Sequence, residues 1–178
     1  MTPTLLKKES IAAAEEVAGK AVHALALRST TAHIELMRLE TGWKVIELGP
    51  RVGGFRHKMY ELSYGMDHSW NDILIHIPRT PVIPRKLKGY SATMKFFAKE
   101  EGILAQLKGI QRIQRLKSCV DVKVNKKIGD KCLYAKNGGK CVLELTVFNP
   151  SRSELLADVR RAEQELVIKT QSARQVRK

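Results

Sequence analysis

Two glutamates twelve residues apart, Glu35 and Glu47, are the residues in this chain best placed to do chemistry. His33 stands two positions before the first, and Gly49-Pro50-Arg51-Val52-Gly53-Gly54 follows the second. On a strand, residues separated by an even number share a face, so His33 goes with Glu35 and Glu47 goes with Gly49. A turn between the two segments can therefore bring Glu35 and Glu47 side by side. Paired carboxylates repel unless a proton or a cation intervenes, and rigid pairs that also meet substrate phosphates are how proteins usually hold magnesium. Arg51 adds a planar fork suited to a phosphate or a carboxylate. The plainer alternative is that both glutamates are solvent-facing strand residues paired with Lys44 or Arg38, with a simple turn after them. Periodicity alone favours that alternative, because exposed charges on half-buried strands are the norm.

The elements that must position these residues are legible on either side. Over 7–28, Ile11, Ala14, Ala18, Val22 and Leu25 recur at three- and four-residue steps, which predicts an amphipathic helix lying on a sheet. Residues 31–39 and 43–48 switch to period two around Glu40-Thr41-Gly42, predicting a hairpin. Pro50 and the glycines after it stop the second strand. Residues 56–65 and 68–77 read as short helices broken at Gly65, and the proline-rich stretch 78–84 reads as a linker. A boundary near residue 88 divides the chain into 1–88 and 89–178.

The second part reads as β-rich. Segments 90–98, 102–107, 118–125, 131–136 and 140–148 are predicted strands of one small antiparallel sheet, with hairpin chemistry at Lys127-Ile128-Gly129-Asp130 and Asn137-Gly138-Gly139. Ser151 with Glu154 three residues on is a capping box that starts a final helix over roughly 151–169. The basic tail QSARQVRK is expected to fray.

Composition narrows the class. A chain of 178 residues with 43% hydrophobic and 28% charged residues can bury a core, and it is too short for a large multidomain enzyme. It has no stretch of the ~20 apolar residues that crosses a bilayer, so a soluble cytoplasmic protein is expected. Cys119, Cys132 and Cys141 are too widely spaced for a zinc pair and too few for a disulfide framework, and they read as reduced packing residues. Met59, Met66 and Met94 read as core filler. The balance of 32 Lys and Arg against 18 Asp and Glu, a net +14, suits phosphates, nucleic acid or an acidic partner.

The motif His33-Ile34-Glu35-Leu36, then Gly42, then Val45-Ile46-Glu47-Leu48-Gly49-Pro50-Arg51-Val52-Gly53-Gly54 resembles the second half of the ATP-grasp ligase active site. There the pattern is a glutamate, a hairpin, and then ViEiNPRxgG, and the glutamate spacing matches that of biotin carboxylase and its relatives. The helix before the hairpin, the segment Tyr64-Gly65-Met66-Asp67 and the β-rich end resemble the L-amino acid ligase branch.

The resemblance implies an α+β fold, the second half of an ATP-grasp domain followed by a small β-rich C-terminal lobe with a terminal helix. It implies that Glu35 and Glu47 bind Mg2+ bridging the phosphates of ATP, and that Arg51 stabilises an acyl phosphate or its attacking partner. The implied activity is ATP-dependent ligation of a small-molecule carboxylate to an amine. Two departures stand out. The family's asparagine is Gly49 here, and only 34 residues precede Glu35, which leaves no room for the Gly-rich loop and lysines that grip ATP. The expected partners are therefore the ATP-binding and substrate-binding lobes, in cis or in trans, and the chain alone is expected to be inactive.

The rival reading is a binding module for nucleic acid or an acidic partner. Between Lys108 and Lys131, eight basic residues face only Asp121 and Asp130. That run lacks aromatics for base stacking, and no helix-turn-helix, zinc or RNP-like pattern accompanies it, which argues against nucleic acid. Cys119 has no histidine near it in sequence to activate it as a nucleophile.

Overall fold

The computed structural model describes residues 1–171 and resolves the chain into two compact units, Thr2–Lys88 and the stretch from Gly89 onward. Residues 172–178 of the basic tail lie outside the described residues.

The first unit opens with α1 (Lys8–Ala24), whose apolar positions pack on a hairpin of β1 (His33–Leu39) and β2 (Gly42–Gly49). Glu40 and Thr41 make the turn between the paired Leu39 and Gly42, and Gly42 takes φ +107°, a conformation that favours glycine. The two strands form a sheet of their own. α2 (Arg56–Tyr64) ends where Gly65 adopts the left-handed conformation at φ 73°, and α3 (His68–His76) starts from Asp67, whose carboxylate accepts the Trp70 N–H at 2.8 Å. The proline-rich stretch is pinned by Asn71. Its amide donates to the Val82 carbonyl at 2.7 Å and accepts the Val82 N–H at 2.8 Å. Fully buried apolar side chains are few in this unit, Met59 and Leu74.

The second unit holds two three-stranded antiparallel sheets, where the sequence predicts one. β3 (Tyr90–Phe96), β7 (Leu143–Asn149) and β5 (Cys119–Val124) form the first, with β7 in the centre. Leu143, Leu145 and Val147 alternate along β7 and are wholly buried with Ile113, Leu155 and Ala162 beneath α4 (Ile110–Gln114) and α5 (Arg152–Glu165). β6 (Lys131–Cys132), β4 (Gly102–Lys108) and β8 (Val167–Gln171) form the second sheet, around Leu104, Cys132 and Val142.

Three expectations change, each for a local reason. The turn at 127–130 does not return the chain to β5. Gly129 N–H donates to Leu104 O, and Leu104 N–H donates to Asp130 O, both at 2.8 Å, so the chain crosses to β4. The predicted strand 131–136 stops at Cys132 and gives way to a 3-10 turn at Ala135–Asn137. The Glu101 carboxylate takes the Tyr134 N–H at 2.9 Å and the Asn137 amide at 2.7 Å, which curls the backbone away from a ladder. The final helix ends at Glu165, and Leu166 is extended. Val167–Gln171 pairs with β4 because β-branched Val167 and Ile168 gain more on a pleated surface than in a last helical turn. α4 falls within the basic run and is an element that charge patterning hides.

Candidate functional site

The hairpin register sets Glu35 directly opposite Glu47, and His33 opposite Gly49. Immediately beyond, the ladder shifts, so that Leu36 faces Val45 and Ile46 is the extra residue of a bulge. The bulge re-aims the strand just where the two carboxylates sit. The predicted juxtaposition is therefore a property of the backbone.

Both glutamates are exposed, and neither is paired with Lys44 or Arg38 among the described residues. Glu35 has one near neighbour, His33, whose Nε2 lies 3.4 Å from its Oε1. The imidazole is far less open than the carboxylate, at 15% against 50% side-chain exposure. It is fixed from behind, because a Cβ at Gly53 would stand 2.7 Å from His33 Nδ1 and 3.1 Å from Arg56 Cγ. Position 53 thus needs its missing side chain to let the loop close on His33. The Glu47 carboxylate has no hydrogen bond or ion pair among the described residues.

After the strand the chain turns tightly, with the Arg51 N–H donating to Gly49 O at 2.8 Å. The Arg51 side chain folds back over Gly49, whose would-be Cβ is 3.4 Å from Arg51 Nε. One guanidinium nitrogen, Nη1, donates to Val52 O at 3.2 Å, which leaves the rest of an exposed fork for a ligand. The loop is tied down again at its end, where His57 Nδ1 donates to Gly54 O at 2.8 Å. Sequence reasoning passed over His57, and its only signal is its place in the first turn of the helix after Gly54.

The donor set suits magnesium. Two carboxylates on directly opposed residues, with no compensating cation paired to them, are hard oxygen donors that could supply part of the shell of a Mg2+ ion. Gly49 contributes no side-chain oxygen, and among the described residues no group of three or more His, Cys, Asp or Glu could hold a metal unaided. The pair by itself is an incomplete metal shell.

Elsewhere, the basic run 108–131 does not form one stripe. It is divided among the end of β4, α4, β5 and β6. Arg112 is engaged with Glu165 at 2.6 Å, and Lys126 with the Lys131 carbonyl at 2.7 Å. All three cysteines are free, and burial pushes each thiol above its ordinary value, which makes none of them a ready nucleophile. No helix among the described residues is long and apolar enough to cross a membrane.

No family model and no curated protein matches the chain. Solved structures do. An L-amino acid ligase from Bacillus licheniformis superposes with a TM-score of 0.83 at 21% identity, covering 96% of this chain and 43% of its own. A phosphoribosylglycinamide synthetase from Anaerococcus prevotii gives 0.74 at 16% identity, over 96% and 44%. The biotin carboxylase domain of the Hydrogenobacter thermophilus 2-oxoglutarate carboxylase, solved with MgADP, ADP and bicarbonate, gives 0.62 at 17% identity, over 94% and 38%. The chain thus spans less than half the length of each of these proteins. Its mixed helix and strand fold is the one found in part of each of these three proteins.

Proposed function

We propose that residues 1–178 form the metal-bearing, C-terminal portion of an ATP-dependent ligase that joins a small carboxylate to an amine through an acyl phosphate. The observation that carries this reading is the hairpin register that sets Glu35 across from Glu47, followed at once by Arg51. Magnesium bound there would polarise the transferring phosphoryl group and offset its charge. Glu35 and Glu47 would hold that cation against the nucleotide. His33, wedged against Gly53, would keep the Glu35 carboxylate from swinging away. Arg51 would meet the acyl phosphate, or the tetrahedral centre that follows, with the free side of its fork.

On this reading the complete activity belongs to a larger assembly. The ATP-binding and substrate-binding lobes come from the same polypeptide or from another chain, and the assembly works in the cytoplasm. The division into 1–88, the second lobe of the ATP-grasp domain, and 89–178, a β-rich lobe, is part of the same proposal.

The test is ADP release from ATP and Mg2+ with panels of carboxylates and amines. It is run on the chain alone and on the chain mixed with the separately produced N-terminal portion of an L-amino acid ligase. ADP release that needs the added portion, an acid and an amine together is the expected result. ADP release indifferent to acid and amine, or unchanged by Glu47→Gln, would overturn the reading.

A further inference from the structure

We propose that His68 is a proton-operated latch on the loop that carries Arg51: as a neutral ring it locks α3 onto α2 behind His57, and on taking up a proton it leaves that seat and loosens the loop. The latch uses only the α2–α3 corner, and its consequence for Arg51 alone rests on the ligase reading.

The corner brings two imidazoles to one hollow. His57, in the first turn of α2, donates from Nδ1 to Gly54 O at 2.8 Å and so ties down the end of the loop 49–54. His68 opens α3, and its ring lies over Tyr60 of α2, with centroids 5.3 Å apart and planes tilted by 33°. Both imidazoles line a hollow of about 340 Å3, together with Glu61, Met66 and Asp67. His57 and Tyr60 are three residues apart and therefore neighbours on one face of α2. Whatever holds His68 on Tyr60 also backs the helical turn from which His57 reaches the loop.

The seat suits a neutral ring and not a cation. His68 Nδ1 is buried and finds no hydrogen-bond partner among the described residues, and Asp72 Oδ1, one turn along α3, is in the same state. The other charged neighbours are engaged elsewhere. Asp67 accepts the Trp70 N–H as the cap of α3, and Glu61 is paired with Lys58 at 3.0 Å. His76 donates to the Asp72 carbonyl at 2.8 Å, which leaves its Nδ1 3.9 Å from the Asp72 carboxylate. Burial pushes His68 below the ordinary imidazole value, Asp72 and Asp67 oppose this, and the imidazole of His57 adds to it. The first turn of a helix also disfavours a cation. A ring that binds its proton less readily folded than unfolded withdraws stability as pH falls below about 6.5. The charged ring must bring Nδ1 to water or to the Asp72 oxygen, neither of which it meets in this seat, and either move takes it off Tyr60.

The experiment takes residues 1–178 in EDTA from about pH 8 to about pH 5, on either side of the ordinary imidazole value of about 6.5. The histidine ring signals and the Arg51, Gly53 and Gly54 amides are followed by NMR. The three loop amides should shift with the midpoint of the His68 ring, below that of a free histidine. Asp72→Asn removes the carboxylate that favours the charged ring, so it should move the His68 and loop midpoints to lower pH together. In His68→Gln the loop amides should lose most of their pH-dependent shift. Loop amides that follow the His57 ring instead, or that keep their full pH profile in His68→Gln, would overturn the latch. Should His68→Gln fail to fold, Asp72→Asn decides, because a His68 midpoint that moves while the loop midpoint stays would overturn it equally.

Discussion

Glu35 and Glu47 face each other directly across the β1–β2 hairpin, one residue before the ladder slips by a bulge at Ile46. Like charges opposite one another on a sheet oppose folding unless something neutralises them. In the absence of a divalent cation, Glu47→Gln should therefore leave stability unchanged or slightly raised, within about 0.5 kcal/mol as for other exposed substitutions. Thermal melts in EDTA check this. A marked loss of stability would mean that Glu47 has a structural partner.

Gly53 supports the site from behind. A methyl group there would press on His33 Nδ1 at 2.7 Å and on Arg56, so Gly53→Ala should push the imidazole off Glu35. The cost to folding should be modest, of order 1–3 kcal/mol, as for other overpacked positions. Divalent-metal affinity should fall severalfold. Gly54→Ala, where nothing lies within 4 Å of the added carbon, should do neither. Equal behaviour of the two variants in melts and in metal titration would remove the positioning role assigned to His33.

Asp158 is the buried charge of the second unit, at 2% exposure. Burial pushes its carboxyl up. The hydrogen bonds from Ser118, including its N–H at 2.9 Å, and from Arg161 at 2.8 Å outweigh that and bring it below the ordinary value. A carboxyl lowered in the folded state adds stability above its unfolded value of about 3.9, and that stability is lost as pH falls through the folded value. Wild type should exceed Asp158→Asn by about 1–3 kcal/mol near neutral pH, the cost of an impaired buried network. The gap should shrink below about pH 4. Urea titrations of both proteins across this range check it, and a gap independent of pH would contradict the ionised assignment.

The two units should respond differently to truncation. Leu145 is wholly buried at the centre of the larger core, and Leu145→Ala should cost about 3–5 kcal/mol. Leu74 is 7% exposed in a unit with few buried apolar neighbours, and Leu74→Ala should cost nearer 2 kcal/mol. Hydrogen exchange resolves the two, since amides near each site report its own unit.

Much of the first unit was legible because its signals are local. Alternation around a Gly-containing turn gives the hairpin, even-number spacing gives the glutamate pairing, and Asp67 and Gly65 mark helix ends by their side-chain and backbone chemistry. The second unit was harder because its pairings are not local. Nothing in Lys131-Cys132 says that it pairs with Gly102 and Ile103 rather than with a chain neighbour. Leu166 to Ile168 continues a helical apolar pattern up to the residue where β4 captures it. Asp158 sits on a helix among charged residues, and only the packed structure shows that it points at the Ser118 backbone. The register that sets Glu144 of β7 opposite Lys95 of β3 and Lys123 of β5 likewise needs the order of three strands, which periodicity does not supply.

Manganese titration of residues 1–178 bears most directly on the glutamate pair, with the free ion followed by electron paramagnetic resonance. One weak Mn2+ site is expected in the wild type, lost in both Glu35→Gln and Glu47→Gln and kept in Glu61→Gln, whose carboxylate is engaged with Lys58 instead. Identical titrations for all four proteins would show that the facing carboxylates hold no cation, and the roles given to Glu35, Glu47 and Arg51 would fall together.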